Sequence, residues 1–436
     1  MEIFRIQGST PLEGRVKISG SKNSALPLFA AALLTDEETI LENVPNLSDV
    51  NFMAEILSEL GAEVRRINSN SWSIRPVSII HYAPYELVRK MRASICLLGP
   101  LVARLGRAEI PMPGGCVIGN RPIDLHIRAL RGLGADVELS EGIVKVDAKK
   151  ISGNSIFIGG RNGSTVTGTA NAIMIAVLTP GLTVLEGSAC EPEIADLCRM
   201  LKSMGANIEG IGSHLLKIEG VTKLKGCRHK VIPDRIEAGT YIIAAAITGG
   251  ELIVEGIDPS HLGSFLDLLR TSGLRYKQHK DSIEISTSQR INPLEVVTLP
   301  FPGFPTDLQA QICALASITP GLSIITERVY PSRFMHIPEL LRMGAHISIE
   351  GSSAIIRGTD KLKGAPVMAS DLRASAALVL AGLAAEGETW VQRIYHLDRG
   401  YENFENKLGE LGAIVERLDE SELPKSIYSL KSHLNS

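Results

Sequence analysis

The stretch PMPGGCVIGNRPIDLH (residues 111–126) combines a thiol with a guanidinium among prolines and glycines. Cys116 stands five residues before Arg121, and a nearby arginine lowers the pKa of a thiol and makes it reactive. A lone cysteine is more commonly a small buried apolar side chain. The surrounding glycines disfavour a core position, so both interpretations stay open. We expect Asp124 and His126 to stand at the start of a helix rather than to act in catalysis.

The stretch PFPGFPTDLQ (residues 300–309) presents a carboxylate after three prolines. Prolines rigidify the approach to a helix, and Thr306 or Asp307 would then cap its first turn. Taken by itself, this stretch favours helix capping. The more specific hypothesis is that Asp307 is held at a cleft, where its carboxylate accepts a proton as a general base.

The stretch SGSKNSALP (residues 19–27) places Lys22 beside a glycine at the start of an apolar helix. The backbone N–H groups of a helix N-terminus and a lysine ammonium together can bind an anion. The commoner arrangement is a solvated lysine, with a serine or asparagine capping the helix. This stretch alone favours the commoner arrangement.

Three arginines stand near the C-terminal end of the chain, at positions 333, 373 and 399, with Asp371 and Asp398 close to two of them in sequence. Arginines that converge bind carboxylate or phosphate through paired hydrogen bonds. Arginines scattered over a surface are the alternative, and sequence distance does not distinguish the two.

Composition and motifs exclude several classes of protein. The chain has 436 residues and a net charge of 45 − 48 = −3, so no basic field recruits nucleic acid. Charged residues are 21% and hydrophobic ones 44%, which excludes a disordered chain. The sequence contains no P-loop, dinucleotide glycine fingerprint, H-E-x-x-H or nucleophile-elbow motif. Nucleotide hydrolysis, dehydrogenase and serine hydrolase activities are therefore disfavoured.

The compartment is predicted from what the sequence lacks. No apolar run reaches the ~18 residues that cross a bilayer, and the N-terminus has no signal-peptide pattern. The six cysteines form no C-x-x-C pair. We therefore expect a cytoplasmic protein with reduced thiols, no membrane contact, no structural zinc and no other bound metal.

The elements that must position these groups follow a repeat. An amphipathic segment, a glycine and a strand-like run recur as EILSELGAEV, RALRGLGADVEL, CRMLKSMGANIE, LDLLRTSGLRYK, ELLRMGAHISIE and KLGELGAIVE. The key glycines are Gly61, Gly134, Gly205, Gly273, Gly344 and Gly412. Each copy predicts a surface helix that ends at a left-handed glycine before a strand begins.

A second phrase alternates with the first. Ala-rich apolar segments followed by a turn and a β-branched strand occur as ANAIMIAVLTPGLTVLEG, TYIIAAAITGGELIVEG, AQICALASITPGLSIITE and ASAALVLAGLAAEGETWV. Helices that are apolar all round belong inside a domain. Six copies divide into three plus three, which predicts two similar α/β domains built around buried helices. A continuous solenoid of six units is less favoured, because it would need atypical terminal caps and none is visible.

The combined motifs closely resemble the UDP-N-acetylglucosamine 1-carboxyvinyltransferases, the enolpyruvyl transferases that begin peptidoglycan synthesis. The similarity covers nearly the whole chain and is most specific at SGSKNSALP, GGCVIGNRPIDLHI, FPTDLQAQ, RFMHIPELLRMGAH and ASDLRASAALVLAG. It implies an α/β (α+β) fold of two inside-out, barrel-like domains, each of three repeated units. It also implies that the N-terminal residues join the second domain. The expected bounds are 22–232 for the first domain, 1–21 plus 233–420 for the second, and 421–436 for a polar tail.

The resemblance also implies roles for individual residues. Phosphoenolpyruvate would be bound by Lys22, Arg121, Arg399, Arg92 and Arg373. UDP-N-acetylglucosamine would be bound by Asn23, Arg92, Asp307 and Val329. Asp307 would accept the proton of the sugar 3′-hydroxyl, and Cys116 would protonate the methylene carbon of phosphoenolpyruvate. A tetrahedral phospho-ketal would then lose phosphate. No cofactor and no metal are implied, and the oligomeric state stays open.

One position departs from the family pattern. Before Thr165 the family usually carries a lysine or arginine that faces the UDP diphosphate, whereas this chain has Gly163, with Arg161 two residues earlier. Because of this departure, a second hypothesis is a related enolpyruvyl transferase that acts on a different nucleotide such as UMP. A non-catalytic sugar-nucleotide sensor is a third hypothesis. It is disfavoured because a sensor needs no acid–base pair.

Overall fold

The computed structural model describes residues 1–112, 114, 122–287 and 291–423. The first of two compact units comprises Ser19–Asp234 and Leu299–Gly303. The second unit comprises Met1–Ile18, Arg235–Thr298 and the chain from Phe304 onward. Cys116, Arg121 and residues 424–436 of the predicted tail lie outside the described residues.

Both units contain α-helices and strands. The helices are α1 Lys22–Ala31, α2 Ser48–Glu59, α3 Tyr85–Val88, α4 Leu98–Leu105, α5 Asp124–Gly132, α6 Val166–Ala176, α7 Pro192–Ser203, α8 Arg235–Thr248, α9 Gly263–Thr271, α10 Gln309–Ile318, α11 Ile337–Arg342, α12 Leu372–Ala384 and α13 Phe404–Glu410. Short 3-10 helices lie at Ala32–Leu34, Arg92–Leu97, Pro259–Leu262, Thr306–Leu308, Ile394–Arg399 and Glu420–Glu422.

The strands are short, with two to seven residues each. They are β1 Glu2–Gln7, β2 Glu13–Lys17, β3 Thr39–Glu42, β4 Ala62–Asn68, β5 Ser71–Pro76, β6 Arg107–Pro111, β7 Asp136–Ser140, β8 Ile143–Asp147, β9 Ser155–Phe157, β10 Gly159–Gly160, β11 Gly163–Ser164, β12 Leu182–Glu186, β13 Asn207–Glu209, β14 Leu215–Glu219, β15 Arg228–Lys230, β16 Glu251–Glu255, β17 Arg275–Gln278, β18 Ser282–Ser286, β19 Glu295–Val297, β20 Leu322–Thr326, β21 His346–Glu350, β22 Ser353–Arg357, β23 Pro366–Met368, β24 Glu388–Gln392 and β25 Ile414–Asp419.

The sheets repeat one plan. The second unit holds three four-stranded sheets, ordered β17-β18-β16-β2, β19-β20-β22-β21 and β23-β24-β1-β25. The first unit holds β15-β3-β5-β4, β13-β14-β12-β9, β6-β8-β7 and the small β10-β11 ribbon. Each four-stranded sheet has one parallel pair at an edge and antiparallel pairs elsewhere. The predicted mixed α/β architecture with threefold repetition in each unit is therefore present.

The six repeat glycines all adopt positive φ. Their values lie between +86° and +105°, at Gly61, Gly134, Gly205, Gly273, Gly344 and Gly412. Each glycine follows a helix and precedes a strand, as its sequence phrase predicts. A side chain at such a φ is strained, so glycine ends the helix at lower cost than other residues.

The Ala-rich helices form the interior of each unit. In the second unit α8, α10 and α12 pack against one another, and in the first unit α1, α4 and α6 do so. Most residues of these helices are buried, and α4 is the least covered, with five of its eight residues buried. The strands alternate exposed and buried residues, so each sheet covers the helices with one face. The prediction of buried central helices is confirmed.

Helix α7 contradicts the expectation that every helix before a repeat glycine lies at the surface. Nine of its residues are buried, including Glu193 and Asp196. The helix packs against α1, and its Asp196 carboxylate accepts hydrogen bonds from Ser24 Oγ at 2.5 Å and His229 Nε2 at 2.9 Å. Because these partners satisfy the carboxylate, a helix with an amphipathic pattern can lie inside the unit.

The described cysteines are separate thiols, at positions 96, 190, 198, 227 and 313. Burial raises the pKa of Cys198 to about 12 and that of Cys227 to about 11, so neither is a thiolate at neutral pH. Across the described ranges, no helix combines the length and apolarity that spanning a bilayer requires.

Close backbone contacts yield a test of this packing. A Cβ added at Gly358 would lie 1.7 Å from the carbonyl oxygen of Thr319, and the backbone cannot retreat from this contact cheaply. We expect Gly358→Ala to destabilise the protein by about 3 kcal/mol. The matched control is Gly409 in α13, where a Cβ meets nothing within 4 Å. Gly409→Ala should be neutral or stabilise by about 0.5–1 kcal/mol. Urea unfolding midpoints measure both, and equal midpoints would contradict the prediction.

Candidate functional site

The carboxylate of Asp307 lies between two buried guanidinium groups of the second unit. Arg333 Nη1 donates to Asp307 Oδ1 at 2.9 Å, and Arg373 Nη2 donates to Asp307 Oδ2 at 3.2 Å. The arginine side chains are 6% and 2% exposed, whereas that of Asp307 is 26% exposed. The carboxylate therefore reaches solvent from a fixed position, and both of its oxygens are oriented by charge-assisted bonds.

Different elements bring these three residues together. Asp307 lies in the 3-10 helix that leads into α10, Arg333 lies in the segment between β20 and α11, and Arg373 lies in the first turn of α12. The guanidinium of Arg373 also lies 5.3 Å from the ring centroid of Tyr401. The Tyr401 hydroxyl in turn contacts Thr240 Oγ1 at 2.9 Å. Contacts with an aromatic ring and a carboxylate hold the buried cation in place.

The helix-capping interpretation of Thr306 and Asp307 is wrong. Helix α10 begins after Leu308 without a side-chain cap. Thr306 Oγ1 instead donates to Glu327 Oε2 at 2.8 Å and accepts from Arg333 Nη1 at 3.1 Å. A side-chain cap is present at α12 instead, where Asp371 Oδ1 accepts from the backbone N–H of Arg373 at 2.9 Å.

Positive charge accumulates next to this carboxylate. Burial lowers the pKa of Arg333, but Asp307 and Asp371 outweigh that effect and raise the pKa above its usual value. Arg399 ends the 3-10 helix Ile394–Arg399, which packs against α12, the helix of Arg373. The structure therefore groups two of the three predicted arginines around Asp307 and places the third on an adjoining element.

A buried imidazole adjoins the same group. His336 is 2% exposed, and burial lowers its pKa to about 4, with Asp371 opposing the shift and Arg333 adding to it. The ring is therefore neutral in the folded protein at neutral pH. It adds no charge to the surroundings of Asp307.

The first unit holds the lysine of the predicted anion site. Lys22 begins α1, its side chain is 12% exposed, and its Nζ lies 2.8 Å from Asp49 Oδ2. The favoured expectation of a solvated lysine is therefore wrong. The predicted serine cap is present, since Ser21 Oγ accepts from the N–H of Ser24 at 3.3 Å.

The other predicted residues of the first unit lie on neighbouring elements. Asn23 follows Lys22 in α1, and Arg92 begins a 3-10 helix that packs against α1. Asp124 begins α5, as predicted. His126 is buried, with Nε2 3.1 Å from Thr167 Oγ1, so it belongs to the contact between α5 and α6.

The backbone at Gly163 leaves little room for a side chain. Its φ is +99°, and an added Cβ would lie 2.4 Å from Pro300 Cγ within the same unit. A lysine or arginine at this position would be strained and would also displace the proline. Arg161 lies at the exposed turn between β10 and β11, and it is the nearest basic side chain of this ribbon in sequence.

Several residues of the two groups escaped the sequence analysis. Asp49 and Tyr401 lie more than 20 positions from the predicted residues that they contact, and Glu327 lies 21 positions from Thr306, although it also stands two residues before Val329. A buried charge requires a partner, but nothing in the sequence marks which distant acid supplies it. Val329 follows Glu327, and its backbone N–H donates to Glu327 Oε1 at 2.8 Å.

Comparison with known proteins defines the class. The model of the family EPSP synthase (3-phosphoshikimate 1-carboxyvinyltransferase) matches residues 6–408. The chain therefore belongs to the EPSP synthase family of carboxyvinyltransferases. This membership confirms the transferase class predicted from the motifs.

Curated relatives narrow the similarity. UDP-N-acetylglucosamine 1-carboxyvinyltransferase of Methylacidiphilum infernorum is 53% identical over 418 residues, covering 96% of this chain and 99% of the relative. The protein of the same name from Akkermansia muciniphila is 49% identical over 425 residues, covering 97% and 100%. The resemblance stated from the motifs is thereby confirmed.

Solved structures share the fold. The enolpyruvyl transferase NikO from Streptomyces tendae superposes with a TM-score of 0.85 at 25% identity, covering 95% of this chain and 98% of that one. EPSP synthase from Acinetobacter baumannii gives 0.75 at 16% identity, covering 96% and 100%. The predicted two-domain α/β fold is therefore that of the enolpyruvyl transferases.

The buried His336 makes stability depend on pH. The unfolded chain protonates this histidine near pH 6.5, whereas the folded protein does so only near pH 4. Between these values the unfolded state binds more protons, so the free energy of unfolding falls as pH falls, by up to about 3 kcal/mol. His336→Gln should flatten this slope in urea titrations between pH 4 and 7. The exposed His346 provides the control, and His346→Gln should retain the slope; equal slopes in both variants would contradict the prediction.

Proposed function

We propose that this protein transfers the enolpyruvyl group of phosphoenolpyruvate to the 3′-hydroxyl of UDP-N-acetylglucosamine and releases phosphate. Relatives that carry the corresponding name at about 50% identity over nearly the full chain support this activity. The structural observation that carries the proposal is Asp307, a partly exposed carboxylate oriented by two buried arginines.

In this proposal Asp307 acts as the general base. Its oxygens hold ion pairs with Arg333 and Arg373, which favour the carboxylate form at neutral pH. The 3′-hydroxyl would give its proton to Asp307 while its oxygen attacks C2 of phosphoenolpyruvate. Cys116 would supply the proton that the methylene carbon takes up. In the tetrahedral phospho-ketal, a methyl proton would then return to the Cys116 thiolate while the C2–O bond to phosphate breaks and the leaving phosphate takes the proton held by Asp307. The enol double bond is restored and both groups regain their starting protonation states.

Fixed cations suit the second substrate. Phosphoenolpyruvate carries a carboxylate and a phosphate, and Lys22, Arg121, Arg399, Arg92 and Arg373 are proposed to bind them. Ammonium and guanidinium groups bind such anions without a metal. Asn23, Arg92, Asp307 and Val329 are proposed to contact the UDP-sugar.

The cellular role follows from the reaction. We place the activity in the cytoplasm, as the first committed step of peptidoglycan synthesis, and through it in cell-wall formation, cell shape and division. The substrates are the only partners proposed, and neither nucleic acid nor a membrane is among them.

A different nucleotide acceptor is the second candidate. The steric demand for glycine at position 163 removes the basic side chain that the family usually places before Thr165. If the acceptor is a smaller nucleotide such as UMP, no basic side chain is needed at this position to contact a diphosphate. The similarity to NikO at 25% identity is weaker than the similarity to the curated relatives.

A two-substrate assay tests the proposal. Purified full-length protein is incubated with phosphoenolpyruvate and either UDP-N-acetylglucosamine or UMP, and released phosphate is measured. We expect release only when phosphoenolpyruvate and UDP-N-acetylglucosamine are both present. Release with UMP instead would establish the second candidate, and no release with either at saturation would leave only a binding protein.

The proposed acid and base give a second test. Cys116→Ala and Asp307→Asn should each lower kcat by roughly 10²–10⁴, the usual contribution of a positioned acid or base. Cys116→Asp retains a proton donor and should keep part of the activity, whereas Cys116→Ser should lose most of it. In the wild type, the epoxide fosfomycin should add its mass at Cys116 when the sugar nucleotide is present. Full activity of Cys116→Ala, or equal labelling of that variant, would reject the thiol's role.

A further inference from the structure

Glu327 is a buried carboxylate for which the proposed chemistry has no direct use. It follows β20 and is 0% exposed. Its Oε1 accepts from Thr298 Oγ1 at 2.6 Å and from the backbone N–H groups of Val329 and Tyr330 at 2.8 and 2.9 Å. Its Oε2 accepts from Thr306 Oγ1 at 2.8 Å. Four donors compensate the cost of burying this charge.

These bonds join two proposed contacts with the sugar nucleotide. One side of the carboxylate holds the backbone of Val329. The other side holds Thr306, the residue directly before Asp307. A single buried anion thus fixes both the turn of Val329 and the approach to Asp307. The shared anchor explains how segments some twenty residues apart keep one relative position.

The direction of each hydrogen bond makes the link between Glu327 and Asp307 specific. A carboxylate only accepts hydrogen bonds, so the Thr306 hydroxyl must donate to Glu327. Its lone pairs then remain available to Arg333 Nη1, which donates to Thr306 Oγ1 at 3.1 Å and to Asp307 Oδ1 at 2.9 Å. The direction of donation therefore runs from Arg333 through Thr306 to Glu327.

We propose that Glu327 is a positioning residue for the acceptor-sugar site, acting through Thr306 and Arg333 on Asp307. This inference rests on the proposed function, in which Asp307 and Val329 meet UDP-N-acetylglucosamine. Glu327 contacts no reacting atom. Because the negatively charged Glu327 only accepts hydrogen bonds, Thr306 donates to it, and Arg333 stays directed at Asp307.

Glutamine is the sharp substitution, because it keeps the shape and removes the charge. If its amide nitrogen faces Thr306, that nitrogen donates to the hydroxyl, and the hydroxyl hydrogen loses its acceptor at position 327. If the amide is flipped, nitrogen faces the N–H groups of Val329 and Tyr330. The first orientation breaks the bond that Thr306 donates, and the second places a donor against donors, so the arrangement around Asp307 or Val329 changes in either case.

The experiment measures steady-state phosphate release by full-length Glu327→Gln with each substrate varied in turn. We expect kcat/KM for UDP-N-acetylglucosamine to fall roughly 10- to 100-fold, the scale of a small misplacement of a catalytic group. The KM for phosphoenolpyruvate should stay within about 2-fold, since its proposed ligands lie outside the bonds of Glu327. Loss confined to phosphoenolpyruvate, or no change in either substrate, would overturn the proposal.

Variants of Thr306 separate positioning from folding. Thr306→Val should reproduce the acceptor-specific loss, and Thr306→Ser, which keeps the hydroxyl, should restore kcat/KM to near the wild-type value. Adding Glu327→Gln to Thr306→Val should cost little more, because the link is already broken. Fully additive losses would overturn the proposal, and so would an inactive serine variant. If Glu327→Gln does not fold, the valine and serine pair decides alone.

Thr298→Val is the matched control. The Thr298 hydroxyl also donates to Glu327, but to Oε1 rather than to the Oε2 that accepts from Thr306. The substitution removes this hydroxyl. It should lower the urea midpoint while leaving acceptor kcat/KM within about 3-fold. An equal acceptor-specific loss in this variant would reduce Glu327 to a structural role. Wild-type protein without phosphate release would instead reject the proposed function itself.

Discussion

A charge buried in a protein must be compensated by an opposite charge or by hydrogen bonds, and this constraint organises the second unit. Arg373 is 2% exposed at the start of an otherwise apolar helix, where an unpaired cation would be costly. Asp307 supplies the opposing charge, Arg333 shares it, and Thr306 links that arginine to Glu327. Arg333, Arg373 and Glu327 are buried in this network, whereas Asp307 and Thr306 are partly open to solvent. The packing of the helices thus determines where the reactive carboxylate can stand.

The first unit also compensates a buried cation, with fewer side chains. Lys22 also begins a buried helix, and Asp49, 2% exposed in its side chain, compensates the ammonium. Nearby, Asp196 binds Ser24 and His229 and so fixes the beginning of the same helix to α7. In both units a cation stands at the N-terminal end of a buried helix, where the helix dipole also favours bound anions. The repeated architecture therefore supplies comparable starting points for binding anions.

Periodic features could be predicted from the sequence, and pairings between distant residues could not. The glycines that end helices depend on local backbone geometry, so the recurring phrase revealed them. The role of Thr306 and Asp307 was misjudged in isolation, because capping depends on neighbours in sequence whereas their real partners lie 21 to 66 residues away. The surface position of α7 was also wrong, since its acidic residues have buried partners that no pattern reveals. The full set of site residues was obtained only from the family resemblance.

The position of β1 has a consequence for biosynthesis. This strand pairs on one side with β24 and on the other with β25, so it is synthesised long before either of its partners. Until those strands are made, β1 has unpaired edges that must be kept from aggregation. The sheets of residues 19–234 need no such delay, because all their strands come from within that range. Folding on the ribosome should therefore finish in the middle of the chain before it finishes at the ends.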